Sequence, residues 1–203
     1  IYPSDSSLLD LIPKKLANRI TKYCDSTMLR AFPYLNFKPG LLDAFMEAMV
    51  LQDNGFNSLG VEQILLDYNS ENRQITLHYL ESVEEQIHMI SKLGSKRPKK
   101  YLKKSLRKGL NIETYIKATV AAWKTGNSRF FNRTVRALAR ESASDYNLIL
   151  ADRNKSWIEH DILPLAQEGL KPFVVVGAMH LYGKDGLIKS LAKRGFIITE
   201  FRS

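Results

Sequence analysis

Little in this chain can staple it together or hold it in a bilayer. Cys24 is the sole cysteine, so no disulfide can close within the chain, and a single thiol says little about compartment. No apolar run approaches the roughly 18 residues that a membrane span needs, and Ile1 to Asp10 lack the basic and apolar regions of a signal peptide. A fixed-period repeat and low-complexity tracts are also missing, which excludes a repeat architecture, and no linker-like stretch divides the chain. At 203 residues a chain can bury about 70% of its unfolded surface, so one domain over residues 1–203 is expected, without structural metal or disulfide.

Acidic residues are absent from one long segment. Between Lys92 and Lys108 lie Lys92, Lys96, Arg97, Lys99, Lys100, Lys103, Lys104, Arg107 and Lys108, and these nine cations equal the formal excess of +9 carried by the whole chain. Such a run attracts an anionic partner, whether nucleic acid, an acidic membrane face or an acidic protein, with Lys96, Arg97, Lys99, Lys100, Lys103 and Lys104 as its contacts. Gly94 and Pro98 equally mark a solvated connector leading into a surface helix. Tyr101 is the only aromatic there, whereas single-stranded nucleic acid is usually gripped by several stacking rings.

Most of what remains reads as helix. Leu8, Ile12, Leu16 and Ile20 recur every four residues, marking one buried face capped by Asp5 or Ser6, with Pro13 placed to kink or restart the helix. Pro39-Gly40 precedes a helix over Leu41 to Leu51 whose stripe is Leu42, Phe45, Met46 and Met49; methionines at that spacing are core filler rather than a ligand box. Val61, Ile64, Leu65 and Tyr68 form one side of a short helix, and Val83, Ile87, Ile90 and Leu93 line another. Ile112 to Trp123 and Asn127 to Leu150 make a helical pair joined at Thr125-Gly126.

Three segments read as strands. Ile75, Leu77 and Tyr79 alternate within Gln74 to Leu80, Phe173 to Val176 is an uninterrupted β-forming run, and Phe196 to Phe201 returns after a helix through Leu187, Ile188 and Leu191. The second strand runs into Gly177, and the next titratable side chain is His180. Open α/β sheets bind ligands beyond the carboxyl ends of their strands, so His180 is expected in a crevice shared with acidic groups. Its plainer role is a hydrogen bond within the loop.

The segment Val176-Gly177-Ala178-Met179-His180-Leu181, followed by Gly183, Gly186-Leu187 and Arg194-Gly195-Phe196, resembles the C-terminal signature of the TraB/GumN (TIKI-type) family. Gly60-Val61-Glu62, the later Leu80-Glu81-Ser82 with Glu85-Gln86, and Arg153-Asn154 with Trp157 match further family segments in order. The family's first G-x-x-H strand has no counterpart, because His78, His88 and His160 do not follow a glycine by three positions. The resemblance therefore implies the C-terminal three quarters of such a domain, lacking the N-terminal strands.

From that resemblance follow the fold and function expected here. The fold would be α/β (α+β): mostly helical, with a small central mixed β-sheet flanked by helices in a TIKI/erythromycin-esterase-like architecture. The activity would be metal-dependent hydrolysis of a peptide or protein, in the periplasm or outside the cell. His180 and Glu62 would ligate a divalent metal ion, and Glu62, Glu81, Arg153, Asn154 and His180 would form the catalytic set, with Gln86, Gly177 and Gly183 near the substrate. No third ligand can be assigned without the first motif. Taken from the residues alone, Glu62 also suits a helix dipole, Glu81 a cap region and Arg153 a surface pair with Asp152 or Glu159. A non-catalytic module binding a peptide or anionic partner is the alternative function, and metal-free ester cleavage with His180 as base a third. A sheet lacking its first strands would expose an edge, so strand exchange in a homodimer is a further expectation.

Overall fold

A computed structural model describes residues 1–2, 7–56, 60–72, 75–109 and 112–201. Among these residues every regular element is a helix or helical turn and no strand occurs. The expected central sheet is thus corrected to an all-helical arrangement. The reason is visible at each segment read as a strand: Ile75, Leu77 and Tyr79 are exposed, as are Phe173 at 83% and Ile197 at 94%. Strand propensity is largely a preference for a half-buried, pleated surface beside another strand, and among the described residues these segments have no neighbouring strand. A sheet edge for strand exchange is likewise lacking among the described residues.

The chain forms two compact units, Ile1–Ile116 and Lys117–Ser203. The first is built from α1 (Lys14–Asp25), α2 (Pro39–Asp53), α3 (Val61–Asn72), α4 (Val83–Lys92) and α5 (Pro98–Gly109). Pro13 ends a 3-10 turn, Leu8–Leu11, and the chain restarts as α1; Ser7 caps the turn, with the Asp10 carboxylate returning to the Ser7 amide. The earlier capping candidates Asp5 and Ser6 lie outside the described residues. Leu8, Ile12, Leu16 and Ile20 are all buried as their spacing requires, and join Leu29, Leu42, Met46, Leu102 and Leu106 in one core. A Cβ on Gly40 would run into the Ile90 carbonyl oxygen, so this glycine lets α2 and α4 approach closely. The Tyr101 hydroxyl donates to Asp43 at 2.9 Å and ties α5 to α2.

Two apolar stripes of this unit do not bury. Val61, Ile64, Leu65 and Tyr68 on α3 are exposed, and so are Val83 and Ile87 on α4, while Leu93 is buried. Periodicity predicts which side chains share a face; it does not supply a surface to cover that face. In α5 the division is clean, with Leu102 and Leu106 inward and Lys99, Lys100, Lys103 and Lys104 in solvent, and Lys96 and Arg97 are exposed in the turn before it.

The second unit follows α6 (Ile112–Lys124), within which the division falls, and a turn at Gly126. It contains α7 (Ser128–Glu141), α8 (Ala143–Tyr146), α9 (Asp152–Trp157), α10 (Leu163–Gln167), α11 (Ala178–Leu181) and α12 (Leu187–Ala192). From 143 to 167 the backbone is continuously helical, but two π turns, Asn147–Ala151 and Ile158–Ile162, interrupt the α geometry on either side of α9. Each π turn re-phases the side chains that follow it, a device concentrated at functional sites. Val135, Tyr146 and Leu150 form the core here, with Leu138, Ile149 and Met179 packed against them.

Candidate functional site

One side chain organises the second unit. Asn154, on α9, is 2% exposed and spends its whole amide on the loop around α11. Its Nδ2 donates to the carbonyl oxygens of His180 at 3.1 Å and Asp185 at 2.8 Å. Two carbonyl partners fix the orientation of the amide, so Oδ1 faces the imidazole and accepts from His180 Nδ1 at 2.7 Å. Nδ1 therefore carries the ring hydrogen, and Nε2 keeps the lone pair. That lone pair meets Arg153 Nη1 at 3.3 Å, and the same guanidinium nitrogen donates to the Ile149 carbonyl in the π turn at 3.0 Å. Trp157 completes the enclosure, with its ring 4.6 Å from the imidazole and 4.7 Å below the Arg153 guanidinium.

Arg153, Asn154 and Trp157 occupy positions i, i+1 and i+4 of one helical stretch, which is why a short motif can wrap a single ring. His180 is 7% exposed and sits in the one-turn helix α11, closed by its own amide donating to the Gly177 carbonyl at 2.9 Å. It is thus buried within the helical packing rather than presented from a strand tip into an open crevice. Burial, and secondarily the Arg153 charge, pushes its pKa down to about 4, so the ring is neutral at neutral pH.

The loop beyond His180 is held at several further points. The Gly183 amide donates to Asn132 Oδ1 at 3.1 Å, and the Tyr146 hydroxyl donates to Asp185 Oδ2 at 2.7 Å. Burial first, then that carboxylate, raises the Tyr146 pKa well above its ordinary value. Tyr182 stacks on Phe131 with centroids 5.6 Å apart and planes within 7°. Gly183 adopts φ +94°, and a Cβ there would come within 2.6 Å of Val135. At Gly177 a Cβ would meet only His180 Cδ2, at 3.8 Å, so space does not demand glycine.

Of the residues expected to act together, the structure unites Arg153, Asn154, His180, Gly177 and Gly183 in the second unit. Glu62, Glu81 and Gln86 belong to the first. Glu62 is exposed in the first turn of α3, Glu81 is half-buried in the bend before α4, and Gln86 is exposed on α4 beside the capping box of Ser82 and Glu85. Among the described residues no group of three or more His, Cys, Asp or Glu side chains is arranged to hold an ion. His180 has Asn154 and Arg153 on its two nitrogens and no carboxylate on either, so the groups present do not fit a metal.

A model of the TraB/PrgY/gumN family matches residues 1–200. The chain belongs to that family. No curated protein and no solved structure matches it significantly. The matched span contains Arg153-Asn154 and Gly177 to His180, and the hydrogen bonds between Asn154 and His180 show how those segments meet in this TraB/PrgY/gumN-family chain.

Beside the His180 loop lies a cavity of about 360 Å³ walled by α7, Tyr146, Gly183, Lys184 and Lys189. Arg136, Arg140, Lys184 and Lys189 line it together with Val135 and Ala139, and no acidic side chain does. Sequence reasoning passed over these residues, although the four-residue spacing of Arg136 and Arg140 on a helix is legible. Asn132, Tyr146 and Asp185 also escaped it, since only the folded chain brings them to the loop.

Proposed function

We propose that this TraB/PrgY/gumN-family chain is a binding module for an anionic partner, with His180 as the keystone of its binding loop rather than a metal ligand or a base. The single observation supporting this is the double engagement of the imidazole by Asn154 and Arg153. A metal ligand or general base needs a free lone pair aimed at its target, and a base works best with a pKa near the operating pH. Here the lone pair faces a guanidinium, and the pKa lies near 4. Metal-dependent hydrolysis of a peptide, the activity expected from family resemblance, and metal-free ester cleavage therefore lack a competent group at His180. Cationic surfaces favour the binding reading: the exposed face of α5 in one unit and the cavity beside Gly183 in the other.

The test is titration of the full chain and His180→Ala with zinc or manganese, alongside a peptide-hydrolysis assay with and without chelator. The expected result is no stoichiometric site that depends on His180 and no chelator-sensitive cleavage. A tight one-to-one metal site lost in a folded His180→Ala protein, or cleavage abolished by chelation, would overturn the proposal. Binding of a glutamate-rich peptide should fall steeply as salt rises, since exposed charges are screened over about 10 Å at 0.1 M; salt-insensitive binding would count against it.

A further inference from the structure

We propose that the cavity beside Gly183 is a binding site for a small soluble phosphomonoester, its phosphate held by Arg136, Arg140, Lys184 and Lys189 and its organic part lying against Ala139. This deepens the anion-binding reading above and rests on it. The argument begins with α7. Asn132, Arg136 and Arg140 recur every four residues and share one face, with Val135 and Ala139 beside them. Asn132 is spent on holding the Gly183 amide at 3.1 Å, which fixes the loop over this face and brings Lys184 into the same cavity. Lys189, on the short helix α12, closes another side.

Three of the four charges there have no counter-ion. Lys184 pairs with Asp185 at 3.8 Å, and among the described residues no ion pair engages Arg136, Arg140 or Lys189. Four cations around one concavity repel one another, and a ligand of matching charge relieves that repulsion. A phosphate monoester carries close to two negative charges at neutral pH and three acceptor oxygens, and guanidinium forks match that geometry better than an ammonium does. A lone carboxylate would leave most of the positive charge unanswered. The volume is within the range of small-ligand pockets, roughly 300–1,000 Å³, and half-buried Ala139 gives an apolar place for more than the phosphate.

The experiment is isothermal titration of the full chain with phenyl phosphate, inorganic phosphate and phenol, with thermal unfolding followed for every variant. Saturable one-site binding of phenyl phosphate is expected, weaker binding of inorganic phosphate, and none of phenol. Arg136→Gln with Arg140→Gln should weaken binding by more than about tenfold, because each replaced group is a charged hydrogen-bond donor. Lys14→Gln with Lys15→Gln, exposed at the start of α1, should leave affinity within about twofold, because nonspecific charge attraction is shared over the whole surface. Equal losses from both pairs, or no saturation by phenyl phosphate, would overturn the site while leaving the metal titration of His180 unaffected. A vesicle arm separates the phosphate's source: sedimentation with phosphatidic acid vesicles in the absence of affinity for phenyl phosphate would replace the soluble ligand by a lipid headgroup and so refute the proposal. Should His180→Ala instead abolish a metal site, the anion-binding reading itself would fall first.

Discussion

Asn154 and Glu62 both sit in segments that the family model covers, yet they ended in opposite environments. Asn154 is almost fully enclosed and makes three hydrogen bonds to residues 26 and 31 positions away in sequence, whereas Glu62 is exposed on a helix whose apolar side is exposed as well. The contrast teaches that a polar motif gains a structural role when distant backbone is brought to it. Burying an amide without partners is costly, so Asn154 is tolerable only because every donor and acceptor it has is used. Glu62 carries no such constraint.

The largest test of this contrast is Asn154→Ala. It would strand the His180 and Asp185 carbonyls and the His180 ring N–H, and buried unsatisfied groups cost about 1–3 kcal/mol each, so a loss on the order of 4 kcal/mol or outright unfolding is expected in urea denaturation. A loss below about 1 kcal/mol, inside the range of an ordinary surface change, would erase the distinction between the two regions.

Next in size is the pH dependence of stability. The folded pKa of His180, about 4, lies below its unfolded value of 6.5, so the unfolded chain binds the extra proton first. Stability from this group is therefore full above about pH 6.5, declines as pH falls, and levels off below about 4, with a total near 3 kcal/mol. His180→Gln should remove this contribution, making stability fall less steeply between pH 6.5 and 4 than in the unaltered chain. Asn154→Asp sharpens the point, because a carboxylate facing Nδ1 should raise the His180 pKa, read by NMR titration of the ring.

Gly183→Ala should cost about 1–3 kcal/mol, since it combines left-handed backbone with a contact to Val135, and Gly177→Ala, at ordinary contact distance, should cost less than about 1 kcal/mol. Reversal of that order in thermal unfolding would show that the loop geometry is not what demands glycine. Smallest of all is Glu62→Gln, expected to change stability by no more than about 0.5 kcal/mol, the range of surface substitutions and of an exposed charge near a helix N-terminus.

The legible part of the molecule was helical. Four-residue spacing placed Leu8, Ile12, Leu16 and Ile20 inside, Leu42 and Met46 likewise, and Pro13 at the restart of α1, because a single buried face repeats with the helix period and proline lacks the amide that would continue it. The strand-like runs misled for a related reason. Phe173 to Val176 and Phe196 to Phe201 have the side chains of a strand, but pairing is a property of two segments, and neither is paired here.

At the candidate site, the short-range content of Arg153-Asn154 and Gly177 to His180 was readable as motif, and its chemistry was not. Residue types and spacing alone determined the helix faces, the family segments and the basic face of α5. Only the tertiary structure decided that an asparagine, and not a carboxylate, stands at Nδ1 of His180, and that Lys184 and Lys189 join Arg136 and Arg140 around one cavity. Hydrogen-bond partners and local charge depend on distances through space, and a linear pattern carries that information only within a turn or two of helix.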